Sequence, residues 1–148
     1  MSDNNTKPTK EQIIESKGED KGELVIRTLA MPSDTNINGD IFGGWVLSQM
    51  DLGGQILACK IAQGKTVTIA VNGMKFISPI SIGDVICIYA KLLRVGKTSI
   101  TFKIKTYVTR KDTYVKELVT HAEFTYVHIG KDNKPEEIQN TGQYNTQL

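Results

Sequence analysis

The segment Asn38-Gly39-Asp40-Ile41-Phe42-Gly43-Gly44-Trp45 sets a carboxylate just ahead of two adjacent glycines, at the point where the sequence turns helical. The first turn of a helix presents unpaired N–H groups and the positive end of the helix dipole. Glycines there let a ligand atom come close to the backbone. A carbonyl oxygen accepting from the Gly43 or Gly44 N–H would sit in an oxyanion site. A carboxylate beside it, Asp40, could activate water or attack an acyl carbon itself. The same residues have a plainer use. An Asp just before a helix is more often a cap, and Gly-Gly can simply permit a tight turn. From residue types alone both uses stand.

Other side chains could join such a site. Asp51 lies 11 residues beyond Asp40 on the same helical stretch. It is a secondary catalytic candidate, and more simply a polar-face residue or a partner for a group across a subunit interface. Asn36 and Asn38 could orient water or substrate, although Asn is also at home in turns. Ser48 and Gln49 could line a pocket or face solvent. Arg94, Lys97, Thr98 and Ser99 cluster around one tight turn and offer cations and hydroxyls to a phosphate. Lys75 and Ser78 bracket another turn. Each of these also reads as an ordinary solvated group. His121 and His128 are the only histidines; both fall late in the chain and read as structural or exposed. Cys59 and Cys87 lie in apolar segments with no CxxC and no His at ligand spacing, so they read as free thiols in a reducing cytosol. No metal or cofactor is expected.

The elements that must position these residues follow from periodicity. Glu23 to Ala30 reads as a strand and MPSDTNINGD as a loop. From Gly43, the apolar or small residues Val46, Leu47, Met50, Gly54, Leu57, Ala58 and Ile61 recur at three- and four-residue steps, one face of a helix ending near Gly64. Gly53, Gly54 and Ala58 imply that another backbone passes close to that face. Strands follow at Thr66 to Phe76 (bulged at Gly73), Asp84 to Val95, Thr98 to Thr109 and Tyr114 to Val127, with a tight turn at Gly96-Lys97. On the fourth strand Ile100, Phe102, Ile104 and Val108 alternate with Thr101, Lys103 and Lys105. A single long helix against five antiparallel strands makes an α+β domain. One helix cannot cover such a sheet, so a second copy is expected to cover the rest.

Composition fits one soluble domain over residues 21–130, between a polar, disordered leader over 1–20 and a polar C-terminal tail over 131–148. The chain has 148 residues, 39% hydrophobic and 23% charged, with no internal repeat. A net charge of +2 is too small to argue for a nucleic-acid partner, and none is expected, although it does not oppose an anionic small ligand. No apolar run is long enough for a membrane span, and the first residues lack a signal peptide's apolar core, so the cytoplasm is expected.

The run Ala30-Met31-Pro32-Ser33-Asp34-Thr35-Asn36, continued by Asn38 to Trp45, Ser48-Gln49-Met50-Asp51 and Gly53-Gly54, resembles bacterial YciA-type acyl-CoA thioesterases. The likeness resumes over Met74 to Val85 and covers roughly residues 23 to 128. It implies a hotdog fold, a long central helix wrapped by a five-stranded antiparallel sheet. It implies a homo-oligomer, a dimer or trimer of dimers with sites shared between subunits, and hydrolysis of acyl-CoA over a broad range of chains. The catalytic carboxylate would fall on Asp40 and the backbone donor on Gly43 or Gly44. Several hotdog thioesterases instead use a carboxylate deeper in the helix, where this chain has Asp51. The pantetheine arm would run near Phe76 to Ile80. A hotdog dehydratase would need a His in the helix region, and none precedes His121. A non-catalytic acyl-CoA-binding module would share the same scaffold.

Overall fold

The computed structural model describes residues 20–139. The leader expected over 1–20 lies outside the described residues but for Asp20, as do residues 140–148 of the tail. The elements run β1 (Glu23–Leu29), α1 (Gly43–Ala62), β2 (Thr66–Phe76), β3 (Val85–Val95), β4 (Ser99–Thr109) and β5 (Lys116–His128). All the strand pairings are antiparallel, in the order β1-β3-β4-β5-β2. The helix therefore interrupts the chain between two strands that end up at opposite edges of one sheet. A short 3-10 turn, Pro32–Asp34, opens the loop that leads into it.

The expected alternation builds the core. Ile100, Phe102, Ile104 and Val108 of β4 are fully buried, as are Ala122, Phe124 and Tyr126 of β5. Against them lie Val46, Met50, Leu57, Ala58 and Ile61 of α1. Gly54 explains the close packing: a Cβ there would overlap the Tyr126 hydroxyl, and that hydroxyl donates to the Asp51 carbonyl at 2.8 Å. Burial, and then the nearby Asp51 charge, push the Tyr126 hydroxyl's pKa well above its ordinary value. The bulge expected at Gly73 is present, with φ at +67° and a register break between Asn72 and Lys75.

One expectation is sharpened and one corrected. The helix ends near Gly64, as expected, with Gln63 rather than the glycine as its cap. Gln63 takes the left-handed conformation (φ 54°, ψ 44°), and its N–H and that of Gly64 both donate to the Cys59 carbonyl. Gly64 serves a different need, because a Cβ there would lie 2.7 Å from His128 Nε2. The first part of the expected tail belongs to the domain. Residues 129–138 double back, with Ile129 bridged to Pro135, and Ile138 is buried while its N–H donates to the Lys97 carbonyl at 2.8 Å. The lone Ile in a polar stretch was the signal for that docking.

Candidate active site

The loop before α1 is held by its own backbone. Asn36 Oδ1 accepts the N–H groups of Asn38 (2.8 Å) and Asp40 (3.2 Å), and the Asn36 N–H donates to the Asp40 carbonyl at 2.7 Å. The next two residues are tied outward: Ile41 N–H donates to the Ile80 carbonyl at 2.9 Å and Phe42 N–H to the Asp34 carbonyl at 2.7 Å. These bonds aim the chain into the helix and fix the position of Asp40.

The capping use of Asp40 is not what the structure shows. The N-cap is Phe42, and it makes no side-chain cap bond. Trp45 and Val46 N–H donate to the Phe42 carbonyl, whereas the Gly43 and Gly44 N–H groups find no acceptor among the described residues. The Asp40 carboxylate likewise has no hydrogen bond or ion pair among the described residues. Two donors and one acceptor are thus left open within four residues of one another. A helix start without a cap costs about 1 kcal/mol or more; a bound ligand would supply what the chain does not.

Asp40 and Gly43 line a cavity of about 330 Å³, together with Asn36, Phe76, Ser78 and Thr120, among others. Its rim is apolar and accessible, with Phe42, Phe76 and Ile77 each more than half exposed. A Cβ on Gly43 would press on the Phe76 ring at 3.2 Å, so glycine keeps the approach to the N–H open. A cavity with an apolar rim, an uncapped helix start and a carboxylate suit a polarised carbonyl carrying a hydrocarbon chain.

The comparisons with known proteins decide the family. Residues 38–113 match the family model described as Thioesterase superfamily. The acyl-CoA thioester hydrolase YciA of Salmonella typhimurium is 51% identical over 118 residues, 78% of this chain and 89% of its own. The chain belongs to this thioesterase family. A solved hexameric broad-specificity acyl-coenzyme A thioesterase superposes with a TM-score of 0.79 at 47% identity, covering 86% of this chain and 90% of that one. A hexameric hotdog-fold thioesterase of Campylobacter jejuni superposes with a TM-score of 0.81 at 38% identity, covering 88% of this chain and all of the other. The fold is accordingly the hotdog fold, α+β.

Within that thioesterase fold the candidate residues divide. Asp40, Gly43, Asn36 and Ser78 meet at the cavity. Gly44 adjoins it with open space around its Cα. Asn38 is exposed and serves the loop. Ser48 is exposed, with its hydroxyl returned to the Trp45 carbonyl, and Gln49 is half-buried on α1. Asp51 does not line the cavity; its Oδ1 accepts the Thr68 hydroxyl at 2.6 Å, facing edge strand β2. That region is the apolar one: Leu52 and Ile56 of α1 and Val67, Ile69 and Val71 of β2 are all exposed.

Arg94, Lys97, Thr98 and Ser99 are not brought to the cavity of their own chain. Their turn adjoins the start of β2 and the end of β5, at the far end of a helix roughly 30 Å long. The carbonyls of Lys97 and Thr98 are taken by the Ile138 and His128 N–H groups. Lys75 pairs across the strands with His121. Burial, with the charges of Lys103, Lys75 and Lys105, holds the His121 pKa below its ordinary value. His128 instead docks the returning segment, with Nδ1 at 3.1 Å from the Glu136 carbonyl. Among the described residues no group of three or more His, Cys, Asp or Glu could hold a metal, and no helix is long and apolar enough to cross a membrane.

Sequence reasoning missed Arg110. Its guanidinium pairs with Asp84, which is 1% exposed, and with Glu117. The signal was the Gly83-Asp84 pair: an acidic residue entering a central strand must find a cation.

Proposed function

We propose that the protein hydrolyses acyl-CoA thioesters to free CoA and a carboxylic acid, with Asp40 as the catalytic carboxylate and the Gly43 and Gly44 N–H groups as the oxyanion site. One observation carries the reading: the Asp40 carboxylate and the uncapped helix start at Gly43, both without a partner among the described residues, line the same cavity, with Gly44 next in the chain. The thioester oxygen accepts from the N–H pair, which stabilises the negative charge that develops as the carbonyl carbon is attacked. Asp40 takes a proton from water as its oxygen adds, and the thiolate leaves with that proton. The alternative is direct attack by Asp40, which breaks the C–S bond, expels the CoA thiolate and gives a mixed anhydride; water then opens it to the carboxylic acid and restores the Asp40 carboxylate.

A second reading is favoured by the setting of Asp51. This carboxylate is held by Thr68 of edge strand β2, whose alternate residues Val67, Ile69 and Val71 are exposed. It lies eight residues from Gly43, about 12 Å along the helix, too far to serve the same N–H pair. A second copy covering that surface would desolvate Asp51 and could carry it to the partner's site. The hexameric relatives support a homo-oligomer; the proposal takes it as built on a dimer and grouped as a trimer of dimers, with sites at the dimer interface. Only from such a second copy would the Gly96-Lys97 turn reach CoA phosphates.

The proposal includes no cofactor, a broad range of acyl chains, a cytoplasmic setting and a role in fatty-acid metabolism. The open apolar rim supports the chain tolerance, and the two unpaired thiols support the compartment. The test is thiol release over a series of acyl-CoA chain lengths, with and without EDTA. Turnover with a shallow length profile, unaffected by EDTA, is expected. Binding of acyl-CoA without turnover would mean a non-catalytic module.

A further inference from the structure

The connection between β2 and β3 forms a wall of the cavity, and one side chain outside the cavity, Arg110, reaches it from the strand ends behind. All five N–H bonds of the Arg110 guanidinium are used. Nε (3.1 Å) and Nη2 (2.7 Å) donate to Glu117 Oε2, and Nη1 donates to Asp84 Oδ2 at 2.9 Å. The two remaining donors reach the wall: Nη1 to the Pro79 carbonyl at 2.8 Å and Nη2 to Ser78 Oγ at 2.9 Å. Asp84 is buried and also accepts the N–H groups of Ser81 and Lys111. The clamp is thus anchored in three strand ends before it touches the wall.

The consequence lies in Ser78, which lines the cavity. A serine hydroxyl has one hydrogen and two acceptor sites. With one acceptor site filled by an Arg110 N–H, the hydrogen is directed away from the guanidinium. The wall's other polar groups are largely engaged: Ile77 N–H donates to the Val119 carbonyl, the Pro79 carbonyl accepts from Arg110, and the Ile80 carbonyl accepts from Ile41. Ser78 is left as an oriented donor beside an apolar slot.

We infer that Arg110 is a positioning residue that fixes the Ser78 hydroxyl as a donor to an amide carbonyl in the pantetheine arm of the substrate. This rests on the acyl-CoA reading above. A lysine cannot replace the fork, because a single ammonium cannot span Asp84, Glu117, Pro79 and Ser78 in one plane.

The test compares acyl-CoA with the same acyl group on a small thiol that has no amide. For Ser78→Ala, KM for acyl-CoA is expected to rise about tenfold, one hydrogen bond's worth, with kcat changed less and the KM of the small thioester rising severalfold less than that of acyl-CoA. Arg110→Lys should behave the same way, and the double variant should be no worse than Ser78→Ala alone. Equal losses on both substrates, or single effects that multiply, would assign Arg110 a structural role only. An unchanged KM for Ser78→Ala would overturn the proposal even if Arg110→Lys fails to fold. Calorimetric binding of CoA itself reads the same contact without turnover. A protein that binds CoA through Ser78 but hydrolyses nothing would refute the hydrolase and leave this contact standing.

Discussion

The two ends of the helix are built in opposite ways. At its C-terminal end the chain closes on itself. Gln63 and Gly64 N–H donate to the Cys59 carbonyl, Gln55 Nε2 donates to the Thr66 carbonyl at 3.0 Å, and Cys59 Sγ meets the Thr66 hydroxyl at 3.2 Å. At the N-terminal end the chain forgoes a cap, sets glycines at the first two helical positions, and leaves their N–H groups beside an unpaired carboxylate. One end is finished by the protein itself. The other is finished by whatever enters the cavity, and an unsatisfied helix start next to an apolar slot is a binding site by construction.

That contrast can be broken most severely at Gly43. Proline is tolerated at the first helical position, and Phe42, at ψ 127°, has the extended backbone that a following proline requires. Gly43→Pro removes one N–H while retaining the helix. It should lower kcat by a factor of about 100 in a steady-state assay, the typical loss for one oxyanion donor. Gly43→Ala, with similar pressure on Phe76 but its N–H intact, is the control and should lose much less. Equal losses would show that crowding, not the donor, matters.

The satisfied end should respond in stability and not in rate. Gly64→Ala puts a methyl group against His128, with an expected cost of about 1–2 kcal/mol from the forced shift of a buried ring. A lowered melting temperature with unchanged kcat would support the contrast, and a fall in kcat alone would erase it. Smaller still is Lys97→Ala, at the turn beyond that end. If a second copy's turn contacts CoA phosphates, KM should rise severalfold at low salt and less at high salt, with kcat kept. An unchanged KM leaves Lys97 an ordinary surface cation and turns attention to Arg94.

The sequence made the scaffold legible because its signals were local. The three- and four-residue spacing over Val46 to Ile61 and the alternation over Ile100 to Ile104 each name a buried face, and each is buried. The loop motif pointed to residues that line the cavity for the same reason, since Asp40 and Gly43 are near neighbours in the chain. What failed was long range. No spacing rule reveals that Arg110 reaches back 32 residues to Ser78, or that the Gly96-Lys97 turn lies a helix length from Asp40. The missed docking of Ile138 has the same cause, because a polar stretch with one apolar residue resembles a tail until its acceptor on Lys97 is known.

The central claim is that Asp40, beside the open N–H pair, does the chemistry. Asn is isosteric with Asp but cannot accept the proton or attack the carbonyl. The decisive measurement is kcat for Asp40→Asn beside Asp51→Asn, each checked for an unchanged melting temperature and oligomer mass. The account expects Asp40→Asn to lose a factor of about 100 or more and Asp51→Asn to lose little. Near wild-type kcat in Asp40→Asn with collapse in Asp51→Asn would contradict it and move the catalytic carboxylate to the helix of a partner copy.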